Sequence, residues 1–462
     1  MARYTVKPAL TGSRSYIFGD PLTRQRDTVR LGRSSEAGQL VDVSFDASGE
    51  FVMAIFGKRG SGKSYCLGAV LESLAMRAPE SDIGRSSRSR GVLVLDTLNI
   101  LWTLEAPLSS ADRASFSSEF LLLDAWGITP PDTDVVVYVP KGFASNTTPA
   151  SYRELTLPPS SLSVEDWADL VETNLYLDRV GQLLFDVYNK VAMDGWVGQA
   201  GPEPPSPTFQ VADFLRCLRE DADIALYYNP ETIRALGQRL RAAAGSLPFL
   251  TGEGMPLSAL VQPGRVSVLE LNRLPETLRA VLTSVLLRRI LAERSEASEL
   301  TKQLALNRKL GDDERKAIGA KIDSLIPPTI VALDEAQNVL PSERATKATD
   351  TIIRYVREGR NHGLSFVFTT QQPAAIDGRI LAQVDTIVAH KLTIAADVRR
   401  LEDNLKARQP DSVLLGGRSL SFADWLRGLS PGQAIVSNTE EDRNFVIEVR
   451  PRVCPHGGQG SV

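Results

Sequence analysis

Gly57-Lys58-Arg59-Gly60-Ser61-Gly62-Lys63-Ser64 reads G-x-x-x-x-G-K-S. The apolar run Phe51-Val52-Met53-Ala54-Ile55-Phe56 ends directly before it, and a helix-compatible stretch from Tyr65 to Arg77 follows. Strand, glycine loop and helix in that order make a phosphate-binding loop. The glycines let consecutive backbone N–H groups turn toward one anion, and the helix N-terminus adds the positive end of its dipole. The pattern assigns Lys63 to the β- and γ-phosphates of a nucleotide and the Ser64 hydroxyl to magnesium. Gly57, Lys58, Arg59, Gly60, Ser61, Gly62, Lys63, Ser64 and Tyr65 are the candidate nucleotide-binding residues, with ATP and Mg2+ as the expected ligands.

Further apolar runs lie on either side. Val92-Leu93-Val94-Leu95-Asp96, Val135-Val136-Val137-Tyr138-Val139 and Val266-Ser267-Val268-Leu269-Glu270-Leu271 are nearly continuous. So are Thr329–Leu333, which ends in Asp334-Glu335, and Leu364–Phe368, which ends in Thr369-Thr370-Gln371. Such runs fit strands buried on both faces of a parallel sheet. Strands alternating with helices predict an α/β, RecA-like parallel sheet. The acids at the end of 329–335 fit a strand tip, where they face a metal and phosphate rather than the core. Asp334 is the candidate magnesium ligand and Glu335 the group that activates water. In the additional-strand class of P-loop proteins, strand 364–370 lies between the phosphate-loop strand and the acidic strand, which places Gln371 near the γ-phosphate.

The 462 residues, 43% apolar and 23% charged, suit a globular protein of one large domain or two to three smaller ones. A net charge of −4 argues against a wholly cationic nucleic-acid binder, though a few basic loops could still line a pore. The three cysteines, Cys66, Cys217 and Cys454, are far apart and show no metal spacing, which suggests a reducing compartment. Cys66 reads as a small buried residue. With no signal peptide and no long apolar run, the expected location is cytoplasmic.

The expected organisation is a short β-rich segment over 1–50, a first core part over 51–150, an inserted helical subdomain over 151–262 and a second core part over 263–450. A tail over 451–462 follows. Within the inserted subdomain, Ser163 opens a helix and Gly201–Pro207 is a loop before helices at 210–220 and 230–244. In the second core part a helix runs from Pro275 to about Glu293, and 294–326 forms a charged helical hairpin, either solvated or partner-docking. Gly84–Arg90 reads as a basic turn that is solvated or contacts a phosphate backbone. Leu414-Leu415-Gly416-Gly417-Arg418-Ser419 reads as a loop. His362 and His390 read as structural rather than acid–base groups.

Several segments together resemble the HerA branch of the HerA/FtsK ATPases. They are Asp334-Glu335-Ala336-Gln337-Asn338, Glu358-Gly359-Arg360-Asn361-His362-Gly363 and Thr370-Gln371-Gln372-Pro373. Gly378–Ile387, Val268–Pro275 and Arg450-Pro451-Arg452 with His456-Gly457-Gly458 extend the likeness. The resemblance implies a homo-hexameric ring that hydrolyses ATP at subunit interfaces and moves double-stranded DNA through its pore. It implies Gln371 as γ-phosphate sensor and Arg360 as the finger reaching a neighbour's site, with Arg357 as runner-up. It further implies a partner, either a nuclease or an NAD-consuming effector, in DNA end processing or anti-phage defence. A hexameric ATPase scaffold that regulates an effector with little translocation is the alternative. A conjugative coupling protein is disfavoured by the lack of a membrane anchor. Three features depart from the family: the short segment before the phosphate loop, Asp96-Thr97-Leu98-Asn99-Ile100-Leu101 in place of an Asp-Pro-x-Gly-Glu-Tyr-like segment, and Gln372 in place of an arginine.

Overall fold

The computed structural model describes residues 15–18, 27–34, 40–343, 347–405, 413–415, 418–438 and 444–457. They fall into two compact units. The first comprises Met1–Val137, Leu260–Asn272 and Ile290–Val462, and the second Tyr138–Ala259 and Arg273–Arg289.

The main strands, in chain order, are β1 (Ser15–Phe18), β2 (Thr28–Ser34), β3 (Val41–Asp46), β4 (Val52–Phe56), β5 (Gly91–Asp96) and β6 (Val135–Pro140). Then come β7 (Val266–Glu270), β8 (Thr329–Leu333), β9 (Leu364–Thr370), β10 (Thr386–Ala389), β11 (Gln433–Asn438) and β12 (Asn444–Val449). They are hydrogen-bonded in the order β1-β3-β2-β12-β11-β10-β4-β9-β8-β5-β7-β6. From β10 through β4, β9, β8 and β5 to β7 every pairing is parallel. These strands are buried along their whole length, which is why their sequences run apolar without alternation. β9 lies between β4 and β8, as the sequence predicts.

Beyond β10 the sheet turns antiparallel through β11, β12, β2 and β3, and β1 adds parallel to β3. The described strands of 1–50 therefore extend the main sheet.

Two expectations need correction here. The helix after β7 does not stop near Glu293; it runs unbroken over Glu276–Leu306. Arg294 explains the continuation, because its guanidinium donates to the His362 and Ile326 carbonyls at 2.9 Å and fixes that turn. The hairpin therefore closes at 307–311, and its return helix, Asp312–Ser324, buries no side chain. In the basic stretch 84–90, Arg88 and Arg90 are tied within the chain, while Arg85 lies exposed. Arg85 pairs with Glu80 at 2.7 Å, Arg88 with Asp134 at 2.9 Å, and Arg90 donates to Ser365 Oγ at 3.0 Å and the Ser48 carbonyl at 2.9 Å. Val413–Leu415 and Arg418–Leu420 pair as antiparallel strands rather than forming a loop. Gly416, Gly417 and Gly458 lie outside the described residues.

The second unit is mainly helical, with helices at Val164–Leu170, Arg179–Asn189, Val211–Glu220, Ala222–Tyr227 and Pro230–Ser246. Ser163 caps the first by accepting from the Asp166 N–H, while the Asp166 carboxylate accepts from the Ser163 N–H at 2.8 Å. Trp167, Phe209 and Phe214 form its aromatic centre, with ring centroids 4.8–5.4 Å apart. The helix at 179–189, absent from the sequence reading, buries Leu183, Leu184 and Val187. Gly201–Glu203 is not loop but pairs with Trp196–Gly198 as a small hairpin.

Candidate active site

The phosphate loop leaves β4 and enters helix α1 (Lys63–Ala75). Gly60 and Gly62 hold φ of +76° and +106°, a region that favours glycine. A side chain on Gly57 would lie 2.4 Å from Ser61 Oγ and 2.8 Å from His390 Cβ, so this position is closed to larger residues. Ser61 ties the loop together, its hydroxyl donating to the Lys58 carbonyl at 2.8 Å. Lys58, Arg59 and Gly60 form an exposed tip. His390 lies fully buried against the loop, with Nδ1 2.9 Å from the Gln433 carbonyl. Burial lowers its pKa to about 4, which keeps the ring neutral at pH 7.

Lys63, Ser64, Asp334, Glu335 and Gln371 come together beside this loop. Lys63 Nζ lies 2.5 Å from Glu335 Oε1 and 3.3 Å from Ser64 Oγ. Gln371 Nε2 donates to the same Glu335 oxygen at 2.6 Å. Lys63 and Glu335 are both buried, at 5% and 1% side-chain exposure, so their charges depend on each other. Burial pushes the Glu335 carboxyl upward, but the Lys63 ammonium and the donated hydrogen bonds outweigh it and hold it below the usual range. Glu335 is therefore ionised and basic in form at neutral pH. Its backbone is left-handed (φ +52°), an uncommon conformation for a residue with a side chain. The Glu335 N–H donates to Thr369 Oγ1 at 3.0 Å, and that hydroxyl donates to Asp334 Oδ1 at 2.5 Å.

Asp334 Oδ2 is buried and has no hydrogen-bond partner among the described residues. Burial raises the Asp334 pKa despite the nearby Lys63 charge. An unpaired buried carboxylate oxygen is costly, and a divalent cation supplies the partner it lacks. With the Ser64 hydroxyl beside Lys63, the residues present fit magnesium.

Arg360 is not brought to this centre in its own chain. It bonds Asp385, whose carboxylate also accepts the Val52 N–H at 2.9 Å. Val52 begins β4 and the phosphate loop follows its end. The five residues of β4 put the Val52 end, where Arg360 holds Asp385, ~16 Å from the loop at ~3.3 Å per residue. Arg357 is exposed. Tyr65 is drawn elsewhere: its hydroxyl accepts the Arg452 N–H at 2.8 Å and its ring packs on His456.

Several residues were missed from the sequence. Asp96 accepts backbone N–H groups from Leu98, Asn99, Ile100 and Leu101 at 2.7–3.0 Å, shaping the turn next to Asp334. Burial pushes its carboxyl up to about 6, with the Asp334 charge adding to the effect against those donors. Glu72, on the buried face of α1, receives Arg450 Nη1 at 3.0 Å and Arg452 Nε at 2.8 Å, plus the N–H groups of Val453 and Cys454. A lone glutamate in an apolar helix face was the available signal. Gln337 donates to Glu335 Oε2 at 2.6 Å.

A parallel sheet with one strand inserted between the phosphate-loop strand and the acid strand, and with lysine and acid meeting at the loop, defines an additional-strand P-loop ATPase. The family model described as "Helicase HerA, central domain" matches residues 29–290, more than half of the chain, and the chain belongs to that family. The acid pair and Gln371 lie beyond the matched span. The DNA double-strand break repair helicase HerA of Pyrococcus furiosus is 27% identical over 214 residues, 45% of this chain and 36% of that protein. The protein of the same name from Sulfurisphaera tokodaii is 26% identical over 179 residues, 38% of this chain and 30% of that one. These matches span about a third of each relative's length. VirB4 of Thermoanaerobacter pseudethanolicus is similar in structure with a TM-score of 0.48 at 14% identity, over 91% of this chain and 96% of that one. No described helix is long and apolar enough to cross a membrane.

Proposed function

We propose that this chain is an ATP-driven motor on double-stranded DNA, acting as a homo-hexamer with a partner nuclease or NAD-consuming effector. The observation that carries the reading is the meeting of Lys63, Asp334, Glu335 and Gln371 at the phosphate loop in a HerA-family chain. Lys63 binds the β- and γ-phosphates, leaving its present partner Glu335. Ser64 and Asp334 hold magnesium, which when bound neutralises charge on the phosphates. Glu335 takes the proton of the attacking water at Oε1, and Gln371 follows the γ-phosphate from the same oxygen. Arg360, remote from its own loop, is available to a neighbour's site, where a cation stabilises the charge that develops on the γ-phosphate.

A second reading, an ATPase scaffold that gates an effector, is favoured by the 276–324 hairpin, whose return helix buries no side chain and so adds little to the core. Displacement of a third strand from duplex DNA separates the two. ATP-dependent displacement, lost in Glu335→Gln, supports the motor. ATP hydrolysis without displacement supports the scaffold.

A further inference from the structure

Glu335 is held from two sides. Oε1 meets Lys63 and Gln371, the groups assigned above to phosphate. Oε2 meets the Gln337 amide at 2.6 Å, and that contact involves no phosphate-binding group. The orientation of the amide follows from hydrogen-bond counting. The Thr370 hydroxyl accepts the Gln372 N–H at 3.0 Å, which leaves its own proton to donate. Glu335, as a carboxylate, only accepts, so the Gln337 NH2 faces it and Gln337 Oε1 takes the Thr370 proton at 2.8 Å. Thr370 ends β9 and its carbonyl accepts the Gly57 N–H at 3.2 Å, so the same residue also anchors the start of the phosphate loop. Glu335 needs such support, because its left-handed backbone begins a 3-10 turn, Ala336–Asn338, and does not fix the side chain by itself.

The geometry points to Gln337 as a positioning residue for ATP hydrolysis: its amide, oriented by Thr370, holds Glu335 Oε2 and keeps Oε1 aimed at the phosphate loop. When Lys63 and Gln371 turn to phosphate, this contact remains. The inference rests on Glu335 being the group that activates water.

The test is single-turnover ATP hydrolysis by the full chain, with nucleotide affinity read separately by titration with a fluorescent ATP analogue. Gln337→Ala is expected to slow hydrolysis by about tenfold to a hundredfold, the scale set by small misplacements of a reacting group, with little change in nucleotide affinity. Gln337→Glu keeps the shape but loses the donor, and is expected to be at least as slow. Thr370→Val is expected to be slow and Thr370→Ser close to wild type. Combining Gln337→Ala with Thr370→Val should cost no more than Gln337→Ala alone, since both act through one contact. In a Glu335→Gln background, Gln337→Ala should slow the residual rate no further.

Wild-type hydrolysis by Gln337→Ala, with Glu335→Gln slow, overturns this inference and leaves the proposed function standing. An equal loss in the Glu335→Gln background also overturns it, because the residue would then act through the fold. Wild-type hydrolysis by Glu335→Gln overturns the reading of the site itself.

Discussion

Lys63→Ala removes a buried ammonium at the phosphate loop and leaves Glu335 with its two amide donors. The fold should persist, since those amides still satisfy the carboxylate. Nucleotide affinity should fall by about two orders of magnitude or more, the worth of a buried charge-assisted contact; unchanged affinity in a titration would remove Lys63 from the site. Glu72 poses a different residue-scale problem. It and both arginines that pair with it are essentially unexposed. Glu72→Gln leaves two buried guanidiniums without their counter-charge and should cost about 3–5 kcal/mol of stability. A urea midpoint equal to wild type would mean that water or rearrangement satisfies them.

At the scale of elements, the return helix of the hairpin can be tested by excision. Lys321 pairs with Glu296 at 3.0 Å, so the two arms lie side by side there. Replacing residues 299–318 by a short Gly-Ser turn should shift the melting temperature by no more than about 3 °C, as expected when little apolar surface is lost. A drop of about 10 °C or more would show that the hairpin supports the core. The elements also explain what the sequence made legible. The phosphate loop, the acids and Gln371 each sit directly after a continuous apolar strand, so local pattern located them. The end of the helix after β7 was misplaced because Arg294 looks like a surface charge, whereas it reaches the carbonyls of His362 and Ile326. The Gly201–Glu203 strand hid among prolines. Gln337 is only two residues from Glu335, yet their contact depends on a left-handed turn that no residue type there announces.

For the whole molecule, the place of Arg360 sets the prediction. If it serves a neighbour, closed cyclic symmetry puts one complete site at each interface. Mixing inactive Arg360→Ala with inactive Lys63→Ala should then restore part of the hydrolysis, because mixed interfaces join an intact loop to an intact arginine. Full activity of Arg360→Ala alone would remove the arginine from the reaction. The grip of Arg450 and Arg452 on Glu72 spans the chain in another sense. Glu72 and Arg450 are 378 residues apart. At ribosomal speeds of ~5–20 residues per second, Glu72 emerges roughly 20–75 s before the arginine that completes its burial. During that interval helix α1 carries an uncompensated carboxylate on the face that must pack. The nucleotide site is thus written early in synthesis and sealed late, and a nascent chain should remain a client of chaperones until residue 454 has left the ribosome.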